Sequence, residues 1–346
     1  MVARKLLLAL PVPKRNIRRQ NPCNLGRNPV LGTLMLKLIA ALTLIASPAA
    51  MAQRQRSPIV HDPSTIVEEG SDAWCFTTGN GVAMFRQDGK EWSFGGTVFP
   101  REKLPAWHKE IVPDNRGHLW APDVIELDGR WCVYYSVSSF GKNTSAIGMV
   151  SRKKLGPGTE QDPWEDKGVI ISSKRGDKFN AIDPAVTKDG QKRWMSFGSF
   201  WDGIMLIELD PKTGLRKNID QKPKQLADAP EIEAPFIHKE GDWYYLFVNW
   251  GKCCRGADST YEIRVGRSKE ITGPYEDRDG NPMVAAGGTL VLGSKGRFIG
   301  PGHASILQKG KDQWLAHHYY DGEDRGLSKL RLVGLEWKDG WPLVKE

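Results

Sequence analysis

Five short stretches carry the residue types that could do chemistry in this chain, and they recur at similar intervals. Asp62-Pro63-Ser64 leads to Trp74, Ala121-Pro122-Asp123 to Trp131, and Asp183-Pro184-Ala185 to Trp194. Glu233-Ala234-Pro235 leads to Trp243 and Gly302-His303-Ala304 to Trp314. Four carboxylates and one imidazole thus stand at the same place in five repeats. Each heads an apolar segment, where a charged group is rarely tolerated unless it is paired or functional. Carboxylates that converge on one pocket suit glycosidic bond cleavage. One must stay ionised to activate water, and another must keep its proton to protonate the leaving oxygen. A third negative charge nearby raises the pKa of that acid. A base and an acid roughly 6.5–9.5 Å apart leave room for the water and invert the anomeric centre. The chain has no nucleophile elbow, phosphate loop or dinucleotide fingerprint.

These residues need a frame that brings them together. The Trp positions 74, 131, 194, 243 and 314 differ by 57, 63, 49 and 71 residues, a period that fits a four-stranded propeller blade with its loops. A third apolar segment follows each Trp segment: Val82–Phe85, Ile147–Val150, Ile204–Ile207, Ile263–Val265 and Leu330–Leu332. The segments are short, β-branched or aromatic, and separated by Gly, Pro, Asp and Asn, as strands and turns are. No long run after the leader has helical periodicity. The expected fold is all-β, a five-bladed β-propeller. The first strand of each blade lines the axis, so Asp62, Asp123, Asp183, Glu233 and His303 are expected to converge. Glu231 and Glu233 are two apart and would point the same way in a strand; the distance to Trp243 selects Glu233.

Aromatic residues near these acids have two readings each. Trp120, just before Asp123, either packs in the core or offers a stacking face to a sugar. Phe140, in the turn Ser138–Gly141, stands in the same position. Phe197-Gly198-Ser199-Phe200-Trp201 presents a hydroxyl and aromatics after a blade strand, so Ser199 and Trp201 are candidate sugar contacts. Gly300 and Gly302 imply close backbone approach beside His303. Cys75 and Cys132 each follow a blade Trp and read as small buried hydrophobes. Cys253-Cys254 is too close for an ordinary loop staple, and a vicinal disulfide stays open. No cysteine or histidine spacing suggests zinc.

Residues 1–52 read as a leader rather than part of the fold. Residues 31–46 form an apolar run too short for an ordinary membrane span, followed by the small-residue cleavage pattern Ala50-x-Ala52. Met35 is a candidate initiator. The leader holds eight Lys or Arg and no acid, so the formal charge of +8 falls to zero once it is removed. The basic balance therefore says nothing about nucleic-acid binding. A secreted or periplasmic protein is expected, with no nucleic-acid partner and no membrane association after processing. Residues 53–346 are expected to form one catalytic propeller, working as a monomer.

Taken together, Asp62-Pro63-Ser64, Trp120-Ala121-Pro122-Asp123-Val124, Asn180-Ala181-Ile182-Asp183-Pro184 and Phe197–Trp201 resemble glycoside hydrolase family 43. So do Glu233-Ala234-Pro235-Phe236, the run from Cys253-Cys254-Arg255-Gly256 to Ser259-Thr260-Tyr261, Val265–Ser268 and Gly300–His303. The set is most similar to the family's arabinanase branch and covers essentially all of the chain after the leader. The resemblance implies an inverting propeller enzyme acting on arabinan or arabino-oligosaccharides, most simply at internal α-1,5-L-arabinofuranosidic bonds. Exo-acting arabinanase, arabinofuranosidase and xylosidase activities stay open within the family, and a non-catalytic sugar-binding propeller outside it. It further implies Asp62 as general base, Asp183 as tuner of the acid's pKa, and Glu233 as general acid. His303 would lie near a metal, calcium by the resemblance, held largely by water. Asp123 would support the site from behind.

Overall fold

The computed structural model describes residues 57–100 and 103–345. The expected leader, residues 1–52, and the candidate initiator Met35 lie outside the described residues. Five sheets, each of at least four antiparallel strands, form the blades. Blade one holds Val67–Glu69, Asp72–Thr77, Ala83–Asp88 and Glu91–Thr97. Blade two holds His118–Leu127, Arg130–Val137, Ser145–Arg152 and Glu165–Ser173, with Gly79–Asn80 added along its inner strand. Blade three runs through Ala185–Asp189, Lys192–Phe197, Ile204–Leu209 and Lys224–Ala227. Blade four comprises Glu233–Glu240, Trp243–Trp250, Glu262–Ser268 and Thr289–Leu292, and blade five Phe298–Lys309, Asp312–Asp321, Leu327–Lys338 and Trp341–Lys345. Each of the five repeat Trp residues falls on its blade's second strand, as the spacing required. A five-residue helix, Trp107–Ile111, interrupts the connection between blades one and two.

Blades bury apolar faces against each other, and each junction has its own cluster. Phe76, Met84, Val133 and Tyr135 join blades one and two. Tyr134, Met149, Met195 and Phe197 join two and three. Leu206, Leu246 and Tyr275 join three and four, and Phe247, Val265, Leu315 and Val333 join four and five. Ile66, Cys75 and Ala316 close the ring between five and one. Cys75 and Cys132 are buried, the environment expected for small apolar thiols.

The way the ring shuts, which the sequence left undecided, is visible. Ile59 bridges Lys329 on the third strand of blade five. The Val60 N–H donates to Ser328 O at 3.1 Å, and the Leu330 N–H to Pro58 O at 3.3 Å. The chain then turns to the axis at Asp62, two residues beyond this pairing.

A shared backbone kink marks the axis. Asp62, Ala121, Asp183, Ala234 and His303 all take left-handed φ values, between 43° and 59°. Residues other than glycine seldom adopt this region, and holding one there costs of order 1–3 kcal/mol. In four cases the next residue is Pro. Blades two, four and five also show register shifts at this point, as bulges do where a strand re-aims its side chains. The kink corrects the expected equivalence of the five sites. Asp62, Asp183 and His303 occupy it, but Glu233 precedes it by one residue and Asp123 follows it by two.

Asp123 is accordingly turned into the structure. Its Oδ1 accepts the Thr65 N–H at 3.1 Å and its Oδ2 the Val186 N–H at 2.8 Å. It ties the segment leading into blade one to the inner strands of blades two and three. A cavity of about 410 Å³ lies further along the same strands, lined by Val67, Val124, Val186 and Phe236 among others, and contains none of the three acids.

Candidate active site

The kinks deliver Asp62, Asp183 and, one residue early, Glu233 to the same end of the axis. All three are largely or fully buried. Asp62 is the most heavily braced. His61 Nδ1 stands 2.7 Å from its Oδ2, and Thr78 Oγ1 donates to the same oxygen at 2.5 Å. Burial alone would raise the Asp62 pKa, but the His61 charge outweighs it and holds the carboxyl well below the usual carboxylate range. Burial likewise opposes protonation of His61, yet the adjacent Asp62 charge pushes the imidazole up to about 10. Asp62 and His61 thus form an ion pair across neutral pH. His61 Nε2 lies 2.7 Å from Tyr320 Oη, which fixes the ring.

Glu233 has the opposite environment. Burial pushes its pKa up to about 8. Ser199 Oγ donates to Glu233 Oε2 at 2.7 Å, which favours the ionised form, while the Asp62 charge disfavours it. Asp183 is also raised well above its ordinary value, by burial first and then by Glu233 and Asp62. Its Oδ2 accepts the Ala234 N–H at 3.2 Å, and its own N–H donates to Ser136 Oγ at 2.9 Å. It therefore grips the backbone beside Glu233 and interacts electrostatically with both other acids.

The loop after the second strand of blade three is locked to the acid. Ser199 bridges Glu233, and the Phe200 N–H donates to Ile232 O at 2.8 Å. Phe200 and Trp201 take φ of 53° and 46°, two consecutive strained residues that turn their side chains outward. Trp201 is 42% exposed. Ser199, expected among the sugar contacts, is instead buried with its hydroxyl on Glu233. Trp120 is half-buried and donates through Nε1 to His118 Nδ1 at 2.9 Å, so it is not a core residue. Phe140 stands 80% exposed on the turn Ser138–Gly141 of blade two.

Around His303 the expected close approach is present. A Cβ on Gly302 would lie 2.4 Å from the Tyr261 ring and 2.8 Å from Asn249 Nδ2. Asn249 Oδ1 accepts the His303 N–H at 2.8 Å, and His303 Nδ1 lies 3.6 Å from Asp62 Oδ1.

Two arrangements could be considered for a metal. His61, Asp62 and His318 place ligand-type atoms within 4.8 Å of one another, but the nitrogens that would ligate are already engaged. Both nitrogens of His61 are engaged, Nδ1 with Asp62 and Nε2 with Tyr320. His318 Nδ1 accepts the Asp62 N–H at 3.1 Å, so the neutral ring carries its proton on Nε2, which is buried without a partner among the described residues. His303 fits better. Burial lowers its pKa and keeps it neutral, the ligating form. It offers one nitrogen donor and fits an ion that retains most of its shell as water, not the all-oxygen cage that calcium usually takes.

The sequence picked out the acids but not their supports. His61, Thr78, Asn249, His318 and Tyr320 come from distant positions whose pairing no local pattern reveals. Only the dipeptide His61-Asp62 offered a signal, an imidazole next to a candidate base.

The Glycosyl hydrolases family 43 model matches residues 56–342. The chain belongs to this family. Within it the chain falls in the arabinanase branch, alongside relatives of both cleavage modes. It is 41% identical over 325 residues to the extracellular exo-alpha-(1->5)-L-arabinofuranosidase ArbA of Cellvibrio japonicus, covering 89% of this chain and 92% of that protein. It is 38% identical to the extracellular endo-alpha-(1->5)-L-arabinanase 1 of Bacillus subtilis, covering 87% and 94%. The solved structure of a Cellvibrio cellulosa alpha-L-arabinanase complexed with arabinohexaose superimposes with a TM-score of 0.78 at 40% identity, over 84% of this chain and 96% of that one. That arabinanase therefore shares the fold found here over the matched residues.

Proposed function

We propose that this chain is an exported, inverting arabinanase that cleaves internal α-1,5-L-arabinofuranosidic bonds of arabinan. The observation that carries the reading is the divergence of two buried carboxyls at one site. Asp62 is held ionised by His61, and Glu233 is kept protonated up to about pH 8 by burial and the Asp62 charge. Groups pushed apart in this way divide the roles of base and acid at neutral pH. Asp62 takes a proton from the attacking water while Glu233 gives one to the leaving sugar oxygen. Asp183 positions the strand that bears Glu233 and couples to its ionisation. Trp120, Phe140 and Trp201 offer sugar-stacking faces, and Ser199 positions the acid. An ion held by His303 and water would add positive charge beside Asp62 and favour its ionised form. Export is supported by the leader pattern and by the extracellular relatives.

An exo-acting mode is the second reading, favoured by the 41% identity to the Cellvibrio japonicus exo-enzyme. Chromatography of early products from linear 1,5-arabinan separates the two. A spread of oligosaccharides supports internal cleavage, and a single short product establishes the exo mode. Untouched arabinan, xylo-oligosaccharides and aryl arabinofuranosides would overturn the hydrolase reading.

Two further outcomes follow from the site. Activity should fall as pH rises through about 8, when Glu233 loses its proton. Because the Ser199 hydroxyl stabilises the Glu233 carboxylate, Ser199→Ala should move this alkaline limb upward. A limb that stays in place would reduce Ser199 to packing. Chelation should lower activity, with recovery on adding back a divalent cation, calcium among those tried; full activity after verified metal removal would remove the ion from the mechanism.

A further inference from the structure

The loop between the second and third strands of blade four carries two adjacent thiols that hydrolysis does not use. Cys253 and Cys254 are both free; Cys254 is exposed and Cys253 half-buried. The loop is pinned rather than loose. The Lys252 N–H donates to Thr260 Oγ1 at 2.9 Å and the Thr260 N–H to Lys252 O at 3.0 Å. The Arg255 N–H donates to Ser259 Oγ at 3.1 Å. Cys254 takes a left-handed φ of 64°, and its N–H donates to Tyr320 Oη at 2.8 Å. Its sulfur lies 3.8 Å from Nε2 of His61, the residue whose other nitrogen braces Asp62. A hydrogen bond from the Cys253 thiol is the main cause that draws the Cys254 thiol down to about 5. A nucleophilic sulfur, a resolving sulfur and the support of the proposed base are therefore held together beside the acids.

We propose that Cys253 and Cys254 form an oxidisable dithiol site for hydroperoxides, coupled through His61 to the catalytic base. The Cys254 thiolate attacks the terminal peroxide oxygen, the O–O bond breaks, and the alcohol leaves with the thiol proton. The Cys253 sulfur then attacks the resulting sulfenic acid, the S–O bond breaks, and water leaves with the second thiol proton. Two thiols and one hydroperoxide become one disulfide, one alcohol and one water. Adjacent Cα atoms are about 3.8 Å apart, shorter than the roughly 4.4–6.8 Å of ordinary disulfides. The product is strained and readily reduced, as labile disulfides are. Closing the ring draws the Cys254 sulfur toward Cys253 and away from His61, which weakens the brace on Asp62.

The thiol chemistry stands independently of the proposed substrate; only its activity readout rests on the arabinanase reading. The mature protein, first reduced and freed of reductant, is titrated with hydrogen peroxide. Peptide mapping without reductant and arabinan turnover are measured together. The expected result is loss of two hydrogens from the peptide bearing Cys253 and Cys254, with buried Cys75 and Cys132 unchanged. Turnover should fall severalfold, and dithiothreitol should restore both. Cys253→Ser should keep the reduced-state turnover and stop at a sulfenic acid that dimedone traps on Cys254. Thiols that resist peroxide, or a disulfide that leaves turnover unchanged, would overturn the proposal. Disulfide formation in a protein inactive on arabinan in both states would support the dithiol site and fail the substrate reading instead.

Discussion

Replacing Glu233 by Gln should lower turnover on linear arabinan by roughly 100- to 10,000-fold, the range contributed by a positioned general acid. The amide keeps the size of the side chain and can still accept from Ser199, so melting temperature should change little. It cannot supply the proton that the leaving arabinosyl oxygen needs. The defect should therefore depend on the leaving group. An aryl arabino-oligosaccharide that releases an acidic phenol needs little protonation and should lose far less activity than arabinan. The alkaline limb near pH 8 should also vanish, because the titrating group is gone. An equal loss on both substrates, with the limb intact, would move the acid role to another residue; Glu231, paired with Lys252 at 2.9 Å, is the nearest in sequence.

Asp62→Asn should be at least as damaging and should not depend on the leaving group, because water activation is common to all substrates. A loss of about 1,000-fold corresponds to roughly 4 kcal/mol of transition-state stabilisation. Removing the Asp62 charge also leaves His61 buried without the partner that keeps it protonated, so some loss of stability is expected and the melting temperature must be followed. Chemical rescue separates the two effects. Azide needs no deprotonation, so it should restore turnover in this variant and yield a glycosyl azide of inverted configuration. Retained configuration, or full activity without azide, would remove Asp62 from the role of base.

Much of this site was legible in the sequence because a propeller repeats. Strand order, the Trp on each second strand and the convergence of three acids all follow from one period. The errors arose where the backbone departs from that period. Asp123 looked equivalent to Asp62 because both acids neighbour Pro, yet the left-handed kink falls on Ala121, which turns Asp123 onto backbone amides of blade three and of the segment leading into blade one. Ser199 looked like a sugar contact because it lies among aromatics. Two consecutive strained residues, Phe200 and Trp201, direct the aromatics outward and leave the hydroxyl facing Glu233. His61, Tyr320 and Cys254 were illegible as a group because Cys254 and Tyr320 lie 193 and 259 positions from His61. Their union depends on how the last blade meets the first.

That meeting has a further consequence. The segment that latches onto blade five reaches Asp62 within two residues, so circularisation of the propeller and delivery of the base are the same event. A nascent chain can finish blades two to four without assembling a competent base. Two of the residues that hold Asp62, His318 directly and Tyr320 through His61, arrive only with the last blade. Catalytic competence is thus gated by completion of the polypeptide, and a chain cut short before blade five loses the latch and the blade-five braces of its base together.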